Sequence, residues 1–186
     1  VMVWANWLPR PYAGRNIHAM PSDERNLESV AAASPEQTDA VLAEAAAQYQ
    51  RELIEQLGEN PALDIAMFGM GPDAHFASLF PDHGESEIDD PHVLVASVRD
   101  SPKPPPLRLT LTVPMIARSK HTWVFTSEAR KADAVAAAFA QRNNPHAPSS
   151  TPMVRNCCGL STKVPPPDCD ARTGTMESDS RVPLVP

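Results

Sequence analysis

A helix with explicit start and stop signals is followed at once by a short apolar run that ends on glycine. Ser34-Pro35-Glu36-Gln37 combines an N-cap serine, a proline at the first helical position and a capping-box Gln. Val41, Leu42, Ala45, Tyr49, Leu53 and Leu57 then recur at helical spacing. Gly58 stands where the helix must stop, ahead of Asn60-Pro61. The run over 63–68 is too short for another helix and reads as a buried strand closed by Gly69. Further strands are predicted over 92–98, 108–112 and 121–127. An alanine-rich helix over 129–140 follows, with Ala132, Val135, Ala136 and Phe139 on one face. Alternation of this kind predicts an α/β domain whose mostly parallel sheet is flanked by helices.

Charge and composition narrow the function classes. The net charge is −7 over 186 residues, which disfavours a polyanion-binding surface and hence nucleic acid as a partner. No apolar run approaches the ~20 residues a membrane span needs, so no membrane partner is expected. The opening Val1-Met2-Val3-Trp4 lacks the basic start of a signal peptide, and a cytoplasmic location is expected. Cys157, Cys158 and Cys169 have neither ligand spacing nor a companion His, so neither a metal site nor a disulfide framework is expected. Residues 145–186 hold eight prolines and no periodic apolar segment. The expected organisation is therefore one α/β domain over 1–146 and an irregular, disordered tail over 147–186.

The chemistry concentrates in Gly69-Met70-Gly71-Pro72-Asp73-Ala74-His75-Phe76-Ala77-Ser78-Leu79-Phe80-Pro81, directly after the 63–68 strand. Ligands of open α/β sheets sit beyond the carboxyl ends of the strands. Glycines at such a turn let backbone N–H groups approach an oxyanion or phosphate. Asp73 and His75 add acid-base groups at the same edge.

This stretch resembles the signature loop of the 6-phosphogluconolactonase family, approximately GMGPDGHxASLFP. Residues 100–112, with Ser101-Pro102-Lys103-Pro104-Pro105-Pro106, resemble the family's SPKPPPxRxTLT segment. Trp123 through Val135 resembles its tryptophan strand, turn and following helix, and Asn16–Pro21 its connection ahead of a helix. The resemblance implies a Rossmann-like α/β fold shared with glucosamine-6-phosphate deaminase. It also implies hydrolysis of a sugar-phosphate lactone in the pentose phosphate pathway, with no cofactor or metal. Carried onto this chain, it makes His75 the general base, with Asp73 helping to position or polarise the site. Gly69 and Gly71 become backbone donors at the substrate, and Arg108 and Lys131 the cations that hold its phosphate. Lys103 is a weaker phosphate candidate. Taken without the resemblance, Arg108 pairs with a surface carboxylate and Lys131 is a solvated first-turn lysine. Two rivals stand beside lactone hydrolysis. An amino-sugar phosphate deaminase is disfavoured by the Ser78-Leu79-Phe80-Pro81 ending of the loop, and a non-catalytic remnant or sugar-phosphate binder is the other.

The chain departs from the family pattern in four places. Ala74 and Glu128 stand where the family has glycine. A positive φ at 74 would make the alanine costly, and a carboxylate at 128 would repel a phosphate. The family's first strand, Ser-Gly-Gly loop and Asp-Glu-Arg segment have no counterpart, so the chain reads as incomplete at its N-terminus. Lastly, a one-base shift permitted by the codons of residues 150–167 reads VYADGTELLWLVDEGAAA, similar to the family's last strand and terminal helix. A frameshift between Phe139 and Pro148 is expected on that ground.

Overall fold

A computed structural model describes residues 17–23, 25, 27–140 and 146–150, and the main chain of 157–161. The N-terminal opening, residues 141–145 of the stretch expected to hold the frameshift, the proline triplet 165–167 and Cys169 lie outside the described residues. Helix α1 spans Leu27–Ala32 and α2 spans Pro35–Leu57. The capping box forms as expected: Ser34 Oγ accepts from Gln37 N, and Gln37 Oε1 accepts from Ser34 N at 2.8 Å. Gly58 ends the helix at φ 87°, a conformation open to glycine, with its N–H on the Ile54 carbonyl. Helix α2 buries Thr38, Leu42, Ala46 and Leu53. Tyr49 is half-buried, and its hydroxyl donates to the His18 carbonyl, tying the 17–23 segment to the helix.

Strand β1 spans Ile65–Gly69, β2 Val95–Val98, β3 Arg108–Leu111 and β4 His121–Thr126. The short helix α3, Val113–Ala117, starts on an N-cap at Thr112. After a 3₁₀ turn at Ala129–Lys131 comes α4, Ala132–Ala140. Helix α4 buries Ala134 and Ala138, whereas Phe139 is half exposed, so its inward face is turned from the one expected.

The sheet divides in two. β1, β4 and β5 (Cys157–Ser161) form a parallel three-stranded sheet in the order β1-β4-β5. β2 and β3 pair separately and antiparallel, with Val95 opposite Leu111 and Val98 opposite Arg108. The short 99–107 connection explains this, because a parallel return needs a crossover of about a dozen residues or more. A parallel α/β core is present, as expected; the hairpin is an addition to it. On β1, Ala66 is buried and Phe68 packs inward, while Ile65 and Met67 are 48% and 59% exposed.

Residues just beyond the expected boundary at 146 pack against the domain. Ala147, Pro148, Ser149 and Ser150 are buried, and the Ser149 amide donates to the Ala74 carbonyl at 3.2 Å. His146 Nδ1 lies 2.6 Å from Asp82 Oδ1. β5 then pairs with β4 from Thr122–Cys157 to Thr126–Ser161. Parallel pairing uses main-chain groups and needs no apolar period, and no proline falls within 157–161. The folded unit therefore runs past 146.

Two apolar clusters grip the glycine loop. Met70 and Ala74 pack with Val124, Ala134 and Ala147. Phe76 and Leu79 pack with Ile116, Phe68 and Leu111. Phe76, Leu79 and Phe80 are at most 1% exposed, and burying each contributes about 1.5–3 kcal/mol. A third cluster joins α2 to the hairpin through Ala46, Leu53, Leu94, Val95 and Met115. The loop after β1 is thus held rigidly on both sides of residue 75.

Candidate active site

The loop's main chain is closed by its own hydrogen bonds. Gly71 N donates to the His75 carbonyl at 2.9 Å, and Ala74 N to the Gly71 carbonyl at 3.1 Å. This brings the imidazole of His75 and the carboxylate of Asp73 down onto Gly71. A Cβ at residue 71 would collide with both groups, so the close approach requires glycine there. Gly69 has open space where a Cβ would stand. Met70 N donates to the Phe125 carbonyl at 3.2 Å. The amide of Gly71, expected as a donor to the substrate, and that of Met70 beside it are therefore engaged inside the fold. Gly71 instead serves by having no side chain.

Ala74 has φ 61°, so the position does require the left-handed region, as its departure from glycine implied. Ala77 and Ser78 have φ 51° and 67° and form the centre of a tight turn in which Phe76 and Leu79 exchange both main-chain bonds. The Thr110 hydroxyl donates to the Ala77 carbonyl. Arg108 reaches Ser78 Oγ at 3.5 Å.

Asp73 and His75 are brought together. Their Oδ1 and Nδ1 atoms lie 2.5 Å apart. An ionised carboxylate only accepts, so this contact assigns the ring proton to Nδ1 and leaves the Nε2 lone pair free. The ring stacks obliquely on Phe80, with centroids 4.7 Å apart. Lys103 Nζ lies 3.0 Å from each Asp73 oxygen and 3.1 Å from His75 Nδ1. Burial opposes the charge on Asp73, but hydrogen bonds from His75 and Lys103 outweigh it and lower its pKa to about 2. Burial is also the main influence on His75 and lowers its pKa. Asp73 pulls it upward, and the charges of Lys103 and Arg108 add to the lowering. The ring is accordingly neutral at neutral pH, as a base must be.

Arg108 sits over the Phe80 ring, 5.4 Å from its centroid. Its Nε donates to the Pro105 carbonyl at 3.0 Å. One terminal nitrogen donates to the carbonyls of Lys103 at 2.7 Å and Pro104 at 3.1 Å. Much of its fork thus clasps the proline loop. Lys131 stands after β4, at the same carboxyl edge of the parallel sheet as the glycine loop, with Nζ 3.3 Å from Glu128 Oε1. Glu128 also pairs with Arg130, and these two cations hold its carboxyl below the usual range. The intruding carboxylate is thereby partly neutralised.

The contact of Lys103 with the Asp73–His75 pair was not legible from spacing, because it joins residues thirty positions apart. Among the described residues, no group of three or more His, Cys, Asp or Glu could hold a metal ion. No helix among them is long and apolar enough to cross a membrane.

A parallel α/β sheet with an Asp–His pair on the loop beyond one strand and cations beyond its neighbour defines a Rossmann-like α/β protein with acid–base and cationic groups at the carboxyl edge of its sheet. Comparison with known proteins narrows that class. The chain belongs to the glucosamine-6-phosphate isomerase/6-phosphogluconolactonase family, whose pattern matches residues 1–158. The 6-phosphogluconolactonase of Streptomyces coelicolor is 34% identical over 138 residues, covering 72% of this chain and 52% of that protein. That of Mycobacterium tuberculosis is 51% identical over 79 residues, 42% of this chain and 31% of that protein. The solved 6-phosphogluconolactonase of Trypanosoma brucei superposes with a TM-score of 0.58 at 26% identity, over 70% of this chain and 56% of that one. The chain spans about half the length of the Streptomyces relative and of this solved structure.

Proposed function

We propose that this chain hydrolyses 6-phospho-D-glucono-1,5-lactone to 6-phosphogluconate, as a cytoplasmic, cofactor-free step of the pentose phosphate pathway. The observation that carries the reading is the 2.5 Å contact between Asp73 and His75, which leaves Nε2 as the free base. Water adds to the lactone carbonyl carbon while its proton passes to Nε2. The ring C–O bond then breaks, and the proton moves from Nε2 to the departing oxygen. The carboxylic acid product ionises to solvent. A positioned base of this kind supplies about 10²–10⁴-fold in rate. Lys131 and Arg130 form a cationic site for the phosphate dianion, with Glu128 displaced on binding, and Arg108 adds positive charge beside the ring of Phe80. Gly69 and Gly71 border the space for the sugar ring.

Ser78-Leu79-Phe80-Pro81 favours this reading over amino-sugar deamination. A second reading, a non-catalytic remnant or at most a weak sugar-phosphate binder, is favoured by one observation: Glu128 occupies the Lys131 ammonium and competes there with a phosphate. Initial rates on freshly made lactone, corrected for spontaneous hydrolysis, decide between them. Saturable turnover supports the lactonase; binding of 6-phosphogluconate without turnover supports the binder. Glucosamine 6-phosphate as substrate tests the deaminase.

A further inference from the structure

Lys103 comes from the connection between β2 and β3, yet its ammonium ends at the heart of the β1 loop. We propose that Lys103 is the positioning residue of the Asp73–His75 pair: bound to both carboxylate oxygens, it fixes Asp73 against His75 Nδ1 and so keeps Nε2 unprotonated and free. The proposal rests on the lactonase reading for its catalytic meaning, but not for its geometry.

Three observations carry it. First, the two equal 3.0 Å contacts to Asp73 place the ammonium astride the carboxylate. The 3.1 Å approach to Nδ1 closes a triangle of three groups. With the ring proton on Nδ1, the ammonium has no lone pair to meet there and spends its donors on Asp73. Second, the loop that presents Lys103 is braced for the purpose. Ser101 Oγ donates to the Lys103 carbonyl at 2.8 Å, and Ser101 N donates to the Pro106 carbonyl at 2.9 Å. Arg108 clasps the carbonyls of residues 103, 104 and 105. Such bracing limits the entropy lost when a long side chain is held in one place. Third, the charged groups around His75 are Asp73, Lys103 and Arg108, and only Lys103 touches both members of the pair. Removing the ammonium leaves Asp73 less neutralised and His75 nearer to uncompensated negative charge. Both changes favour a protonated imidazole.

The test follows His75 by ¹⁵N NMR of the whole chain, in the wild type, Lys103→Met and Lys103→Arg, together with initial rates across pH. Lys103 is part-exposed, so the methionine variant should fold. The expected result is a rise in the His75 titration midpoint by about one pH unit or more in Lys103→Met, with most of it reversed in Lys103→Arg. The acid limb of kcat should move by the same amount, with KM within about twofold of the wild type. An unmoved midpoint in Lys103→Met overturns the proposal. So does a rise in KM with kcat unchanged, which would make Lys103 a reader of the substrate phosphate. If the midpoint moves but the wild type hydrolyses no lactone, the positioning role stands and the lactonase reading falls. If the wild type turns over and the midpoint is still, the reverse holds.

Discussion

The amide of Ser149 donates to the carbonyl of Ala74, linking the segment after α4 to the residue immediately before His75. Ala74 is 2% exposed, and its methyl packs among Met70, Val124, Ala134 and Ala147. The site loop and the segment after α4 therefore share one cluster.

Glycine at residue 74 would relieve a left-handed alanine, worth about 1–2 kcal/mol. It would also lose a buried methyl, worth about 0.8 kcal/mol, and regain chain entropy when unfolded, worth about 0.4–1 kcal/mol. The opposing effects nearly cancel. Ala74→Gly should therefore change unfolding free energy by less than about 1 kcal/mol in urea titration. Ala74→Val, β-branched and overpacked at φ 61°, should lose more than about 2 kcal/mol.

Asp73 ionises in the fold at about 2, against 3.8 ordinarily. Its folded value is the lower one, so its stabilising contribution is complete above the unfolded value and is lost as pH falls toward 2. Asp73 is 35% exposed, so solvent screening trims the contribution to on the order of 1 kcal/mol. Between pH of about 5 and about 2.5, the wild type should lose about that much more stability than Asp73→Asn.

His75 titrates below its ordinary 6.5 in the fold. It too contributes stability that is complete above 6.5 and declines as pH falls through the window beneath. The acid limb of kcat/KM should accordingly lie below pH 6.5. A limb above that value would contradict the environment described for the ring.

Lys131→Ala should weaken binding of 6-phosphogluconate about tenfold or more, as loss of a charge-assisted contact does, and leave gluconate nearly unaffected. Arg108→Ala should also weaken it, but with a change in the 99–107 loop, because the guanidinium clasps that loop. Calorimetry with the two ligands separates the effects; equal losses for both ligands from Lys131→Ala would show that it does not contact the phosphate.

Replacing residues 149–186 by VVYADGTELLWLVDEGAAAGL places the Leu-Leu-Trp-Leu-Val run over 157–161, where β5 pairs with β4. Each buried side chain of that run would add about 1.5–3 kcal/mol. A shifted reading frame predicts higher soluble yield and a higher Tm for the replacement. A lower Tm would show that the present residues 149–186 belong to the native fold.

Local signals were legible where neighbours in sequence are neighbours in space. Ser34 and Gln37 cap α2 and Gly58 ends it, as the sequence predicts, and Asp73, read at the same edge as His75, lies only two positions from it and reaches it. What depends on distant packing was not. Parallel and antiparallel strands carry the same apolar runs, so the β2–β3 hairpin looked like part of the main sheet. Alanine dominates α4, so its pattern could not choose between the face of Ala132 and Val135 and the buried one of Ala134 and Ala138. Helices α1 and α3 are too short to show a period. The β5 pairing rests on main-chain groups, which composition does not reveal.

The central claim is that His75 takes the proton from the attacking water, and the most direct measurement compares kcat of His75→Ala with the wild type on fresh 6-phosphogluconolactone. The ring touches Asp73, Lys103 and Phe80 and makes no contact with Lys131, so its removal should spare the phosphate site. A fall in kcat of about 10²–10⁴-fold, with affinity for 6-phosphogluconate little changed, is the predicted result. An unchanged kcat would contradict it and remove His75 from the base role.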